Sequence, residues 1–98
     1  MTNNFPSKLK GLRIDKKLSQ QAVADKLNVS RATLGHWEIG RSEPSIEELV
    51  KISNFFGCTV DYLIDPTIPK DHILYKNGIT KERYKEIQEE IKDEKKDN

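Results

Sequence analysis

The sequence has few of the features that mark secreted and membrane proteins. Its 98 residues contain a single cysteine, Cys58, so no disulfide can form within the chain and a reducing compartment is expected. No apolar run approaches the roughly 18 residues that cross a membrane. The chain also lacks the basic-then-apolar pattern of a signal peptide at its start. These absences predict a soluble protein of the cytoplasm with no membrane contact.

Catalytic signatures are also missing. The two histidines, His36 and His72, have no cysteine or serine at a catalytic spacing. The sequence contains neither a glycine-rich phosphate loop nor the spacing of a metal site. We therefore expect no enzyme activity, no cofactor and no metal.

Charge of one sign is not in excess, because the net charge is +1. Hydrophobic residues make up only 35% of the chain, so part of it is expected to lie outside the core. One local cluster, opposed only by Asp15, is basic: Lys8, Lys10, Arg13, Lys16 and Lys17. This cluster either forms a face that binds nucleic acid or is simply a solvated surface.

Apolar spacing and capping residues predict five short helices between Phe5 and Ile64. Helix 1 should carry Phe5, Leu9 and Leu12 on one face and end near Lys17. Hydroxyl side chains at suitable positions predict the starts of the other four helices: Ser19, Ser30, Ser45 and Thr59. The inner face of the later helices should hold Leu34, Trp37, Ile46, Leu49, Ile52, Ser53, Phe56, Tyr62 and Leu63.

Composition changes at Pro66 and divides the chain in two. Residues 1–65 are predicted to form the helical domain. Residues 66–98 should form a linker and then a charged amphipathic tail helix from Thr80 to about Lys92. The apolar positions of that tail are Ile79, Tyr84, Ile87 and Ile91. The stripe suits oligomerisation or the binding of a partner, but it is too short for a confident coiled coil.

The segment from Leu18 to Gly40 reads as two capped helices joined by a tight turn, which is how a helix-turn-helix presents its second helix to DNA. Residues 1–65 resemble the Xre/Cro-type domain of phage and bacterial repressors. The resemblance lies in three segments: LKGLR, LSQQAVADKLNVSRATLGHWEIGR and PSIEELVKISNFFGCTVDYLI. It implies an all-α, five-helix lambda repressor-like domain that binds operator DNA as a symmetric dimer.

The outward positions of helix 3 are the predicted base-contacting residues: Arg31, Ala32, Thr33, Gly35 and His36. Arg31 could grip a guanine edge or only a phosphate. Ala32 could touch a thymine methyl group, and Thr33 either reaches DNA or acts as a second capping hydroxyl. Gly35 either lets the helix press into the groove or is a tolerated weak position, and His36 either donates to DNA or is plain surface.

The resemblance implies that Gln20 contacts the DNA backbone and braces helix 3. The full set of predicted backbone-contacting residues is Lys16, Lys17, Gln20, Gln21, Ser30, Gly40, Arg41 and Ser42. Arg41 is a candidate through its side chain, like Lys16 and Lys17, and the backbone amides of Gly40, Arg41 and Ser42 could also meet a phosphate. Similar domains also imply a partly buried ion pair between Arg13 and Glu38. Trp37 should be a core residue and not a stacking platform, and Cys58 should be buried and inert.

Two functions are compatible with these patterns. The first is a transcriptional repressor that binds a palindromic operator in double-stranded DNA as a homodimer. The alternative is an interaction protein, antitoxin-like or controlled by an antirepressor, whose residues 66–98 bind a protein partner.

Overall fold

The computed structural model describes residues 4–73 and 75, which form a bundle of five α-helices. These are α1 (Phe5–Asp15), α2 (Gln20–Leu27), α3 (Arg31–Glu38), α4 (Ile46–Phe56) and α5 (Val60–Ile64). Apart from an isolated bridge between Cys58 and Tyr75, no β-structure occurs in this part of the chain. The predicted five-helix all-α fold is confirmed. The predicted tail helix lies outside the described residues.

Four helices begin where a hydroxyl side chain accepts a hydrogen bond from a backbone amide three residues later. The capping residues are Ser19, Ser30, Ser45 and Thr59, as predicted. At α4 the cap is reciprocal, because Glu48 Oε1 also accepts from the Ser45 amide at 2.8 Å. These bonds satisfy amide groups that the first turn of a helix leaves without partners. Local chemistry alone therefore sets the start of each of these helices.

Helix α1 ends at Asp15, two residues earlier than expected, because Lys17 takes a left-handed conformation with φ of 57°. The Lys17 amide then donates to Ile14 and the Leu18 amide to Arg13. Helix α3 ends at Glu38, and Gly40, at φ of 76°, directs the chain away from it.

The core lies between the helices, with α3 packed on α1 and α2, and α4 packed on α2 and α5. Its members are Phe5, Leu9, Leu12, Val23, Ala24, Leu27, Leu34, Trp37, Leu49, Ile52, Phe56, Cys58, Tyr62, Leu63 and Ile73. Trp37 and Cys58 are buried as predicted.

The prediction that Ile46 faces inward is wrong, because this side chain is 81% exposed. Ile46 is the first residue of α4, and helical side chains lean toward the N-terminus of their helix. Its side chain therefore extends past the end of α4, where no neighbouring helix covers it. The next inward position, Leu49, is buried.

Lys8 is not part of an exposed basic surface, because its side chain is fully buried. Its ammonium group donates to the carbonyl oxygens of Tyr62 at 2.6 Å and Asp65 at 3.0 Å, and lies 4.7 Å from the centre of the Tyr62 ring. Burial lowers the pKa of Lys8, while the charge of Asp65 partly opposes that shift. The lysine thus closes the C-terminal end of α5, where helix carbonyls lack amide partners.

Residues 66–73, predicted as the start of a linker, pack on the helical domain. The side chain of Ile73 is 3% exposed and belongs to the core. The Tyr62 hydroxyl donates to the Lys70 carbonyl, and Asn4 donates to the Pro66 carbonyl. Burial raises the pKa of Tyr62 well above its usual value. The interior of the domain therefore draws on residues beyond Asp65.

Candidate DNA interface

A rigid turn joins α2 to α3. Asn28 ends α2 in the left-handed conformation with φ of 59°, which asparagine adopts more readily than most residues. The amides of Asn28 and Val29 donate back to Asp25 and Ala24, and Ser30 starts the next helix at once. A left-handed residue with returning amide bonds is a common way to end a helix. The turn holds α3 at a set angle to α2, as a helix-turn-helix requires.

The inner side of this unit is closed by a network centred on Glu38. Arg13 donates from Nε to Glu38 Oε2 at 2.6 Å and from Nη2 to Oε1 at 3.0 Å. The Arg13 Nη1 group donates to the Leu18 carbonyl at 2.9 Å. Gln20 adds a bond from Nε2 to Glu38 Oε1 at 3.1 Å. The network links α1, the loop before α2, α2 and α3.

The Arg13–Glu38 ion pair that the resemblance implied is therefore present. The side chain of Glu38 is 1% exposed and that of Arg13 is 13% exposed. The hydrogen bond from Glu38 raises the pKa of Arg13, and burial partly opposes it. All three guanidinium nitrogens of Arg13 donate to groups within the protein. Arg13 therefore has a structural role and is not a free donor for DNA.

The outer face of α3 begins with two exposed side chains, Arg31 and Ala32. Thr33, Gly35 and His36, further along the helix, are partly buried. The Thr33 hydroxyl lies 2.8 Å from the Ser30 hydroxyl, which places it at the start of the helix as a second capping group. Of the predicted base-contacting side chains, Arg31 and Ala32 are thus the most accessible.

The predicted backbone-contacting residues differ in their surroundings. Lys16, Lys17, Arg41 and Ser42 are all exposed. The Lys16 ammonium, however, lies 5.3 Å from the centre of the Phe55 ring on α4. The Lys16 side chain therefore contacts a helix outside the α2–α3 unit.

Gln21 donates to Asp25 Oδ1 at 2.8 Å, a bond within α2. Its neighbour Gln20 lies against α3 instead. The two adjacent glutamines therefore contact different parts of the protein: Gln21 bonds within α2, and Gln20 bonds to α3.

The prediction that the amides of Gly40 and Arg41 meet a phosphate needs correction. The Gly40 amide donates to the Trp37 carbonyl at 3.3 Å, and the Arg41 amide donates to the His36 carbonyl at 2.9 Å. Both N–H groups complete the last turn of α3 and are not free to bind an anion. At Arg41 the exposed guanidinium group remains the candidate for a phosphate contact.

Sequence reasoning missed one feature of this surface. Ile39, directly after α3, is 72% exposed. The sequence offered little signal for it, since isoleucine beside a buried helix end usually packs inward. No set of three or more His, Cys, Asp or Glu side chains within residues 4–73 and 75 is placed to hold a metal ion.

This architecture matches known proteins. A family model of helix-turn-helix domains, HTH_3, matches residues 9–63. The chain belongs to this Xre/Cro-like family. Members are DNA-binding transcription regulators, not enzymes. Among the helices of the described region, none has the length and apolar character needed to cross a membrane.

Individual relatives carry the same domain. The chain is 41% identical over 63 residues to the SPbeta prophage-derived HTH-type transcriptional regulator YonR of Bacillus subtilis, covering 64% of this chain and 58% of YonR. It is 43% identical over 60 residues to the HTH-type transcriptional activator BcrR of Enterococcus faecalis, covering 61% of this chain and 29% of BcrR. The chain thus corresponds to only part of each relative's length.

A solved structure has a similar fold. The P22 c2 repressor in complex with a synthetic operator matches with a TM-score of 0.62 and 28% identity, covering 65% of this chain and 97% of that chain. The similarity extends over most of the five-helix domain.

Proposed function

We propose that this helix-turn-helix regulator binds a palindromic operator as a homodimer in the cytoplasm, with α3 in the major groove, and represses transcription. The observation that carries the proposal is the contrast at α3. Its inner side is closed by Glu38, while Arg31 and Ala32 at its N-terminus are exposed. A helix held in this way presents its first residues to base edges.

The direct contacts in this proposal fall to α3. Arg31 reads a guanine through its O6 and N7 acceptors, and Ala32 touches a thymine methyl group. Thr33 and His36 meet neighbouring base edges, while Gly35 presents only backbone. The similarity to the P22 c2 repressor, whose structure holds an operator, supports this docking.

Contacts to the DNA backbone supply affinity without sequence preference. We assign these contacts to the backbone amide of Ser42 and to the side chains of Lys16, Lys17, Gln20, Gln21, Ser30 and Arg41. Among them, the exposed cations are Lys16, Lys17 and Arg41. Each cation that neutralises a phosphate releases counterions, so affinity falls steeply as the salt concentration rises.

Selection of bound sites from random DNA by the full chain tests the proposal. We expect an inverted repeat with half-site centres about 10 base pairs apart, one helical turn. Placing the selected site in a promoter and measuring transcript should then show a decrease when the protein is expressed. Failure to enrich any sequence contradicts operator binding, and an increase in transcript contradicts repression but not DNA binding.

Residues 76–98 are the proposed dimerisation segment, with binding of a protein partner as the alternative. The support is the apolar stripe in the sequence of this segment, which includes Ile87 and Ile91. Truncation should follow Lys76 and not Asp65, because Ile73 is part of the core. Loss of the dimer together with weaker operator binding supports dimerisation. Unchanged operator binding favours a protein partner instead.

A further inference from the structure

We infer that Gly35 acts on DNA binding through Gln20, whose carboxamide occupies the space beside the glycine and is held there by Glu38. This inference rests on the proposed function and concerns how one of its backbone contacts is positioned. It assigns to Gly35 a role in positioning a neighbour, rather than a contact with a base of its own.

The space beside Gly35 is not empty. A Cβ atom added to Gly35 would lie 3.8 Å from Gln20 Nε2 and 4.0 Å from Gln20 Oε1. These are ordinary van der Waals distances, so a methyl group fits and packing alone does not require glycine. Glycine inside a helix costs about 1 kcal/mol relative to alanine. Larger side chains would compete with the Gln20 carboxamide for this position.

The Gln20 carboxamide has a defined orientation. The Glu38 carboxylate can only accept, so the group that faces it at 3.1 Å must be the Gln20 nitrogen. Glu38 is itself held by Arg13 through two further bonds. One N–H of Gln20 is used in this contact, which leaves the second N–H as a donor.

The location of this donor suits a DNA phosphate. Gln20 is the first residue of α2, where helix amides and the helix dipole favour an anion. It also lies against α3 at Gly35, next to the helix that carries Arg31. Gly35 therefore leaves room for a phosphate-binding amide that comes from the preceding helix.

Four variants of the full chain test the inference: Gly35→Ala, Gly35→Val, Gln20→Ala and the double variant Gly35→Val with Gln20→Ala. Valine adds two methyl groups to a Cβ that already touches the carboxamide, and its side chain is stiff in a helix. Alanine adds a single methyl group, which fits beside the carboxamide, so Gly35→Ala tests a smaller change at the same position. Affinity is measured for the selected operator and for random DNA over a range of salt concentrations.

We expect Gln20→Ala to bind about 10-fold more weakly than the wild type, and Gly35→Ala to lose less affinity than Gly35→Val does. Gly35→Val should match Gln20→Ala, and the double variant should be no weaker than either one. The loss should be the same for operator and random DNA. The salt dependence should not change, because the lost amide carries no charge.

Effects of Gly35→Val and Gln20→Ala that multiply in the double variant overturn the inference, because the glycine would then act independently of Gln20. A change in base preference with Gly35→Val also overturns it. NMR of the free protein gives a separate reading, in which Gly35→Val but not Gly35→Ala shifts the Gln20 side-chain amide signals. A wild-type chain that binds no DNA overturns the proposed function along with the inference. Tight wild-type binding with independent effects overturns the inference alone.

Discussion

The two sides of α3 differ in what their polar groups contact. On the inner side, Glu38 is 1% exposed, and Arg13 and Gln20 both donate to it. On the outer face, Arg31 is exposed at the start of the helix. Because of this difference, we expect loss of an inner side chain mainly to reduce the free energy of unfolding. Loss of an outer side chain should mainly reduce DNA binding.

The largest expected effect is on the inner side. Glu38→Ala would leave the Arg13 guanidinium partly buried without its carboxylate, and we expect the free energy of unfolding to fall by about 3–5 kcal/mol. Urea denaturation measures this loss. Exposed Lys17→Ala is the comparison and should lower stability much less. Equal losses in the two variants would contradict the structural assignment of the ion pair.

The second comparison uses two isoleucines in opposite environments. Ile73 is 3% exposed and Ile46 is 81% exposed. Ile73→Ala should reduce the free energy of unfolding by about 2–4 kcal/mol, because a cavity is left in the core. Ile46→Ala is the matched control and should change stability by no more than about 0.5 kcal/mol. A small effect at Ile73 would show that residues 66–73 do not contribute to the core.

The outer face is tested by Arg31→Ala. We expect a loss of about 1–3 kcal/mol of discrimination at one operator position, since one bidentate base contact is removed. The free energy of unfolding should stay nearly constant because the side chain is exposed. Competition binding with operator and random DNA measures the discrimination. Equal weakening on both DNAs would mean that Arg31 contacts a phosphate instead.

The smallest expected effect separates stability from binding at one residue. Lys17 has a left-handed backbone with φ of 57°, which glycine adopts without steric penalty. Lys17→Gly should therefore raise the free energy of unfolding by about 1 kcal/mol.

The same variant should weaken binding to all DNA sequences alike if Lys17 contacts a phosphate. Thermal melting and binding to random DNA provide the two readings. Lower stability would contradict the strain argument, while unchanged binding would remove Lys17 from the set of backbone contacts.

Short-range patterns predicted much of the fold. Ser19, Ser30 and Thr59 start the helices expected of them, and Trp37 lies in the core. A cap depends on one hydroxyl and an amide three residues away, so residues that are close in the sequence are enough to predict it. Of the predicted outward residues of α3, Arg31 and Ala32 are exposed, while Thr33, Gly35 and His36 are partly buried.

Long-range contacts were the source of the errors. The sequence places Lys8 in a local basic cluster, but its position three residues after Phe5 and next to Leu9 puts it on the inner face of α1. Only the carbonyl oxygens of Tyr62 and Asp65, more than 50 residues away, make burial of its charge possible. Likewise, no local pattern shows that Ile73, which lies beyond the predicted helical domain, packs into the core.

The helix starts, the tight turn between α2 and α3 and the family can all be predicted from residues that lie close together along the chain. Tertiary structure alone decided that Lys8 and Ile73 are interior, that Ile46 is not, and that the Gln20 carboxamide lies beside Gly35. The physical reason is that burial, and the partners of a polar group, depend on which distant parts of the chain cover it.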